Sequence, residues 1–225
     1  MELLEDKMRV WLESAKFVKS IPGVYVLYNR NKDPIFVGET NNLEMTFHRL
    51  AINGLDNMSG QPLTIDEVTV ICNGEIYNYK EIKSELIKIG SIFYTNTDTE
   101  VLLESWRIWG KNCLQKLNGM FAFAIYDFDQ NKIYCCRDAF GIKPLYYTNN
   151  NEYIYFGSEI PSIISLDEKL NTLDYKQAVT YLKYGKYDST ENTFYSDIKS
   201  VLPGHYIEFD IKDKIQISIH QWWLP

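Results

Sequence analysis

With 225 residues, 45% hydrophobic and 15% aromatic, the chain has the apolar mass for one large domain, or one domain with an appendage, around a packed core. Its 23 basic and 30 acidic residues leave a net charge of −7 without a basic run, which argues against nucleic acid as a partner. No apolar stretch reaches the roughly 20 residues of a membrane span, and the N-terminus MELLEDKMRVWLESAK lacks a signal peptide's apolar centre, so a cytoplasmic protein is expected.

The first expected element is an amphipathic docking helix over 2–18, where Leu4, Met8, Trp11, Ala15 and Val18 recur every three or four residues before Ile21-Pro22-Gly23 stops it. GVYVLYNRNKDPIFVGE then reads as a hairpin, with a polar turn at 29–33 and a second run at 35–37. A strand over 67–72 leads into a polar Asn-Gly-Glu turn and a helix from Asn78, with Ile82, Leu86 and Ile89 inward and Gly90 as its stop. In TNTDTEVLLESWRIWG, Thr97 and Glu100 have capping-box spacing, so Asp98 falls in the first turn of a helix ending at Gly110, where the helix dipole favours a carboxylate. Two antiparallel hairpins follow, one joining Phe121, Phe123 and Ile125 to 133–135 and one turning at 149–151. A helix from about 173 to 184 and a hairpin turning at 212–214 complete the chain. Helices flanking several antiparallel strands define an α+β layered fold, not a doubly wound α/β sheet.

Asn73-Gly74-Glu75 supplies a carboxamide donor, a backbone N–H that the missing Cβ leaves approachable, and a carboxylate. Those groups can form an oxyanion hole beside an ammonium site, although Asn-Gly alone more often marks a structural turn. In RDAFGIKPLYY, Arg137, Asp138 and Lys143 read as pins for a strand-to-strand corner around Gly141 and Pro144. The four cysteines, Cys72, Cys113, Cys135 and Cys136, lack the paired CxxC spacing of a zinc site and read as reduced thiols, the last three as small buried hydrophobes. His48, His205 and His220 are scattered, so no metal site or cofactor is expected.

From residue 48 to residue 225 the strings HRLAI, SGQPL, CNGEIYNYKE, TDTEVLLESW, LNGMFAFAIYD, RDAFGIKPLYY, FGSEI and LPGHY resemble the glutaminase domain of asparagine synthetase, a class II glutamine amidotransferase. This resemblance covers about four-fifths of the chain. It implies a four-layer α/β/β/α sandwich of two antiparallel sheets, the N-terminal-nucleophile hydrolase type, binding L-glutamine and releasing ammonia. By the same resemblance Asn73 and Gly74 are oxyanion donors, Arg49 clamps the substrate α-carboxylate, and Glu75 and Asp98 hold its α-ammonium. An amino acid carries one group of each charge, and these residues offer the complement; three surface charges are the alternative reading.

That family attacks glutamine with an N-terminal cysteine whose free α-amine is the base. Here residue 2 is Glu2 and no cysteine precedes Cys72, whose nitrogen is a peptide amide and whose side chain strand alternation directs away from that of Asn73. The attacker is therefore expected to be absent and Cys72 to be structural. Residues 1–47 depart from the family, giving an expected division into an atypical helix and hairpin over 1–47 and an amidotransferase domain over 48–225.

Within the first segment, Gly23-Val24-Tyr25, then Phe36-Val37-Gly38 and ETNNL, resemble the opening of a GIY-YIG nuclease domain, with Tyr25 matching its first motif. Phe36 lacks the second motif's hydroxyl, and Glu44, Met45 and Thr46 stand where that family has a basic helix. Alternatively, GVYVLYN replaces the glutaminase's own first strand, with Pro22 near the cysteine's place. The chain ends at HQWWLP, near where the family's synthetase domain would begin, and carries no ATP-pyrophosphatase loop such as SGGLDSS. The leading expectation is a glutamine-binding domain without its nucleophile. The alternatives are a glutamine sensor or a module docking on a separate synthetase subunit, and a nuclease fragment.

Overall fold

Antiparallel strands in two main sheets organise the computed structural model, which describes residues 25–28, 44–47, 61–149, 154–187, 189–212 and 215–224. The segment 2–18, the run 35–37, His48 and Arg49 lie outside those residues. The larger sheet has the order β11-β10-β6-β5-β4-β3. Its strands are β3 (Leu63–Ile65), β4 (Val68–Ile76), β5 (Gly119–Asp127), β6 (Lys132–Arg137), β10 (His205–Asp210) and β11 (Gln216–Gln221). The smaller sheet, ordered β8-β7-β9, contains β7 (Tyr146–Asn149), β8 (Ile154–Gly157) and β9 (Lys199–Ser200).

Strand alternation separates the side chains into distinct cores. On β4, Ile71 faces the smaller sheet while Val70 and Cys72 face the helices, so three consecutive side chains are buried because both faces of the strand are covered. On β5, Ala122 and Ala124 lie between the sheets, whereas Phe121, Phe123 and Ile125 meet helices α1 (Tyr79–Lys88) and α2 (Asp98–Trp109). Tyr147 and Phe156 complete the inter-sheet core from the other side. Beyond the smaller sheet, Tyr155 packs with Ile163 of α3 (Ile160–Ile164), Leu170 and Ile198. The resulting sequence of layers is helix, sheet, sheet, helix, an α+β sandwich.

Several local expectations change. The strand β1 (Tyr25–Tyr28) pairs antiparallel with β2 (Glu44–Phe47), from Tyr25↔Phe47 to Tyr28↔Glu44, a pairing not expected, while the run 35–37 expected as the hairpin partner lies outside the described residues. Thr46 and Phe47 supply strand-favouring types. Ile89 is exposed, not inward: α1 tightens at its end, with the N–H of Ile89 donating to Leu86 O and that of Gly90 to Ile87 O, and this turns Ile89 out of the apolar stripe. The expected last helix begins later, as α4 (Tyr175–Tyr184), because Asp174 caps it by accepting the Gln177 N–H at 3.0 Å. Gln177 is the buried side chain of α4, while Tyr175, Val179 and Leu182 form an exposed stripe at helical spacing. Helix α3 carries no strong periodic signal in its five residues and was not expected.

Candidate functional site

Asn73, Gly74 and Glu75 are strand, not turn. They continue β4 beside β5 in the register Asn73↔Ala122, Gly74↔Phe121 and Glu75↔Met120. Two glycines make this close pairing possible. At Gly74, with φ of 141°, an added Cβ would lie 2.0 Å from Met120 O, and at Gly119 it would lie 2.2 Å from Glu75 O. The Asn-Gly signal thus reports a backbone approach inside a strand.

On the strand's other edge, Gln61 replaces a missing ladder partner. The Cys72 N–H donates to Gln61 Oε1 at 2.6 Å, and Gln61 Nε2 donates to Cys72 O at 3.1 Å and to Thr99 Oγ1 at 3.3 Å. The Cys72 nitrogen is therefore an engaged amide, and its side chain belongs to the helix-side core. Burial pushes the thiol well above its ordinary range, the Asp98 carboxylate adds to this, and Lys143 opposes it. Cys113, Cys135 and Cys136 are likewise free, buried and raised, with Cys113 pushed up to about 12 by burial. None of the four offers a nucleophilic thiolate near neutrality.

By alternation Asn73 lies on the Ile71 face, toward the gap between the sheets, where its Nδ2 donates to Ser158 Oγ at 3.2 Å. Ser158 directly follows β8, so this bond links the two sheets. Asp98 reaches the same end of β4 from the first turn of α2, and its Oδ2 accepts the Ile76 N–H at 2.9 Å. Burial raises the Asp98 pKa; hydrogen bonds from Ile76 and the helix start pull it down, and the nearby Glu75 carboxylate pushes it up again. The expected capping box is half formed: Thr97 Oγ1 accepts the Glu100 N–H, but the Glu100 carboxylate accepts the N–H groups of Tyr94 and Thr95 at 2.7 Å instead of reaching Thr97 N.

The structure therefore brings Asn73, Gly74, Glu75 and Asp98 to one end of β4; Arg49 lies outside the described residues. Arg137 and Asp138 form the expected corner. Buried Asp138 accepts N–H groups from Phe121, Phe140, Ile142 and Lys143 at 3.0–3.3 Å, and the Arg137 guanidinium donates to Lys143 O, Gly141 O, Val201 O and Ser200 Oγ. Ser158 and Gln61 were not singled out from the sequence. Both sit in the recognised strings, FGSEI and SGQPL, but only the fold shows what they bond. Among the described residues no group of three or more His, Cys, Asp or Glu side chains is placed to hold a metal ion. No helix among them is long and apolar enough to cross a membrane.

Two antiparallel sheets between helical layers place a carboxamide, a glycine and two carboxylates at one strand end. The chain belongs to the glutamine amidotransferase domain family, whose model it matches over residues 22–223. Asparagine synthetase [glutamine-hydrolyzing] 1 of Bacillus subtilis is 40% identical over 160 residues, covering 70% of this chain and 25% of that protein. Asparagine synthetase [glutamine-hydrolyzing] 2 of the same organism is 33% identical over 185 residues, covering 79% and 24%. The chain spans about a quarter of the length of these relatives. In fold it is similar to an allosteric regulatory enzyme of purine biosynthesis, with TM-score 0.56, 18% identity, and 91% of this chain and 43% of that one covered. Glutamine phosphoribosylpyrophosphate amidotransferase from B. subtilis gives TM-score 0.54 at 17% identity, with 90% and 43% covered.

Proposed function

We propose that this chain is a glutamine-binding domain of the asparagine synthetase type that holds free L-glutamine without an attacking thiol of its own. The observation that carries the reading is the position of Asp98, tied to Ile76 N–H at the end of β4 that also bears Asn73, Gly74 and Glu75. An incoming α-ammonium would meet carboxylates there. The Asn73 carboxamide, on the same strand, would meet the ligand's side-chain carbonyl, and Arg49 would take its α-carboxylate. Burial of all four thiols supports the absence of an attacker among them.

The family match begins at residue 22 and β1 lies beside β8. Both support the view in which GVYVLYN stands in for the glutaminase's own first strand, within an otherwise atypical segment 1–47. Calorimetric titration tests the pocket: Arg49→Ala and Asp98→Ala should each weaken L-glutamine binding by roughly 2–5 kcal/mol, because each leaves a ligand charge unpaired. Unchanged affinity in both variants would overturn the pocket.

A separate synthetase subunit is the partner we propose alongside this reading. One observation supports it: among the described residues, Tyr175, Val179 and Leu182 of α4 form an exposed apolar stripe, rimmed by Lys176 and Lys183.

A further inference from the structure

We infer that Ser158 is a positioning residue that fixes the orientation of the Asn73 carboxamide, and through it the recognition of the ligand's side-chain carbonyl; this rests on the glutamine-binding reading above. An asparagine carboxamide rotates readily between two opposed orientations, one presenting its oxygen and the other its NH2 group to a given neighbour. For a ligand carbonyl, the NH2 orientation is attractive and the oxygen orientation repulsive. Neither immediate neighbour on the strand anchors the Asn73 carboxamide: Cys72 points to the opposite face, and Gly74 has no side chain.

The group that anchors the carboxamide comes from 85 positions away in the sequence. Asn73 Nδ2 donates to Ser158 Oγ at 3.2 Å, and Ser158 is only 3% exposed, held at the end of β8 where the chain turns into α3. An amide nitrogen carries two protons. With one given to Ser158, the second is directed away from the hydroxyl and is available to an oxyanion or carbonyl beside the Gly74 backbone. Ser158 thereby couples the geometry of the smaller sheet to the donor carried by the larger one, since Asn73 pairs within β4–β5 and Ser158 adjoins β7–β8.

The test compares two ligands that share α-ammonium and α-carboxylate groups but differ in the side-chain carbonyl: L-glutamine and L-norleucine. In the full chain, Ser158→Ala should weaken L-glutamine binding roughly three- to tenfold, the range of a single hydrogen bond, and leave L-norleucine binding unchanged. Ser158→Thr, which keeps the hydroxyl, should restore glutamine affinity. Asn73→Ala with Ser158→Ala should be no weaker than Asn73→Ala alone, because both remove one interaction. Equal losses for both ligands in Ser158→Ala, or no loss for either, would overturn the assignment.

Nuclear magnetic resonance of the Asn73 side-chain NH2 pair separates this inference from the glutamine reading, since it needs no ligand. Ser158→Ala should shift both proton signals and bring them closer together as the amide loses its fixed acceptor, with Ser158→Thr close to the native pattern. An Asn73 NH2 pair unmoved by Ser158→Ala would overturn the positioning role. Native protein that fails to bind glutamine but shows the spectral change would instead overturn the pocket reading and keep the Asn73–Ser158 pair.

Discussion

Asp98 concentrates the electrostatics of the site. Its ordinary value of 3.8 is raised chiefly by burial, with Glu75 contributing, so in the folded chain it holds its proton to higher pH than in the unfolded chain. Between the ordinary and raised values the folded state binds more protons, and stability contributed by this group falls as pH rises through that window. Asp98→Asn should therefore make the ligand-free protein more stable than the native chain above the window, by an amount that shrinks below it. Thermal unfolding across pH 3–7 measures the difference. Ligand binding has the opposite preference: an ammonium beside Asp98 favours the ionised form, so glutamine affinity should drop as pH falls through the raised value, with a proton released on binding. Titration in two buffers of different ionisation enthalpy detects that proton. Affinity independent of pH across the same range would show that Asp98 does not face the ligand's ammonium.

Elements differ in how plainly their sequences announce them. Thr97 before the apolar run of α2 and the alternation Phe121, Phe123, Ile125 in β5 are local signals, and both are found as read. The Asn-Gly-Glu strand was not legible, because the feature that makes glycine necessary there is the approach of Met120 O, forty-six positions further along the chain. A local turn preference lost to a long-range pairing. Ile89 failed for a related reason: the 3.6-residue period places it inward, but backbone bonds at the helix end override the period. Helix α4 supports a prediction at this scale. Leu182 is 84% exposed with Val179 and Tyr175 beside it, so Leu182→Asp should abolish co-migration with a synthetase subunit in size-exclusion chromatography while leaving thermal stability within about 0.5 kcal/mol. The probe is the portion of B. subtilis asparagine synthetase 1 outside the matched region. Co-migration undiminished by the substitution would move the docking surface elsewhere.

Across the whole molecule, the layered architecture follows from which strands are covered on both faces. β4, β5 and β6 bury consecutive side chains, so each needs helices on one side and a second sheet on the other, and the clusters on the two faces supply them. The α+β class was readable from caps and periodicity, as was the place of Asp98 in the first turn of α2, whereas roles for Glu75 and Asp98 came only with the family resemblance. The bonds that join the sheets were not, since Asn73 to Ser158 and Arg137 to Val201 cross distances in sequence that no local pattern spans. The same separation of levels applies to function: of the proposed ligand groups, Asn73, Gly74 and Glu75 lie on β4 and Asp98 on α2, whereas the family's attack on glutamine needs a thiol, and the four of this chain are buried.

Calorimetric titration with L-glutamine, run beside an ammonia-release assay on the same purified chain, tests this separation most directly. Saturable binding without release is the predicted result, a substrate pocket lacking its attacker. Release of ammonia at a rate proportional to the protein would contradict it and require a nucleophile other than the four buried thiols.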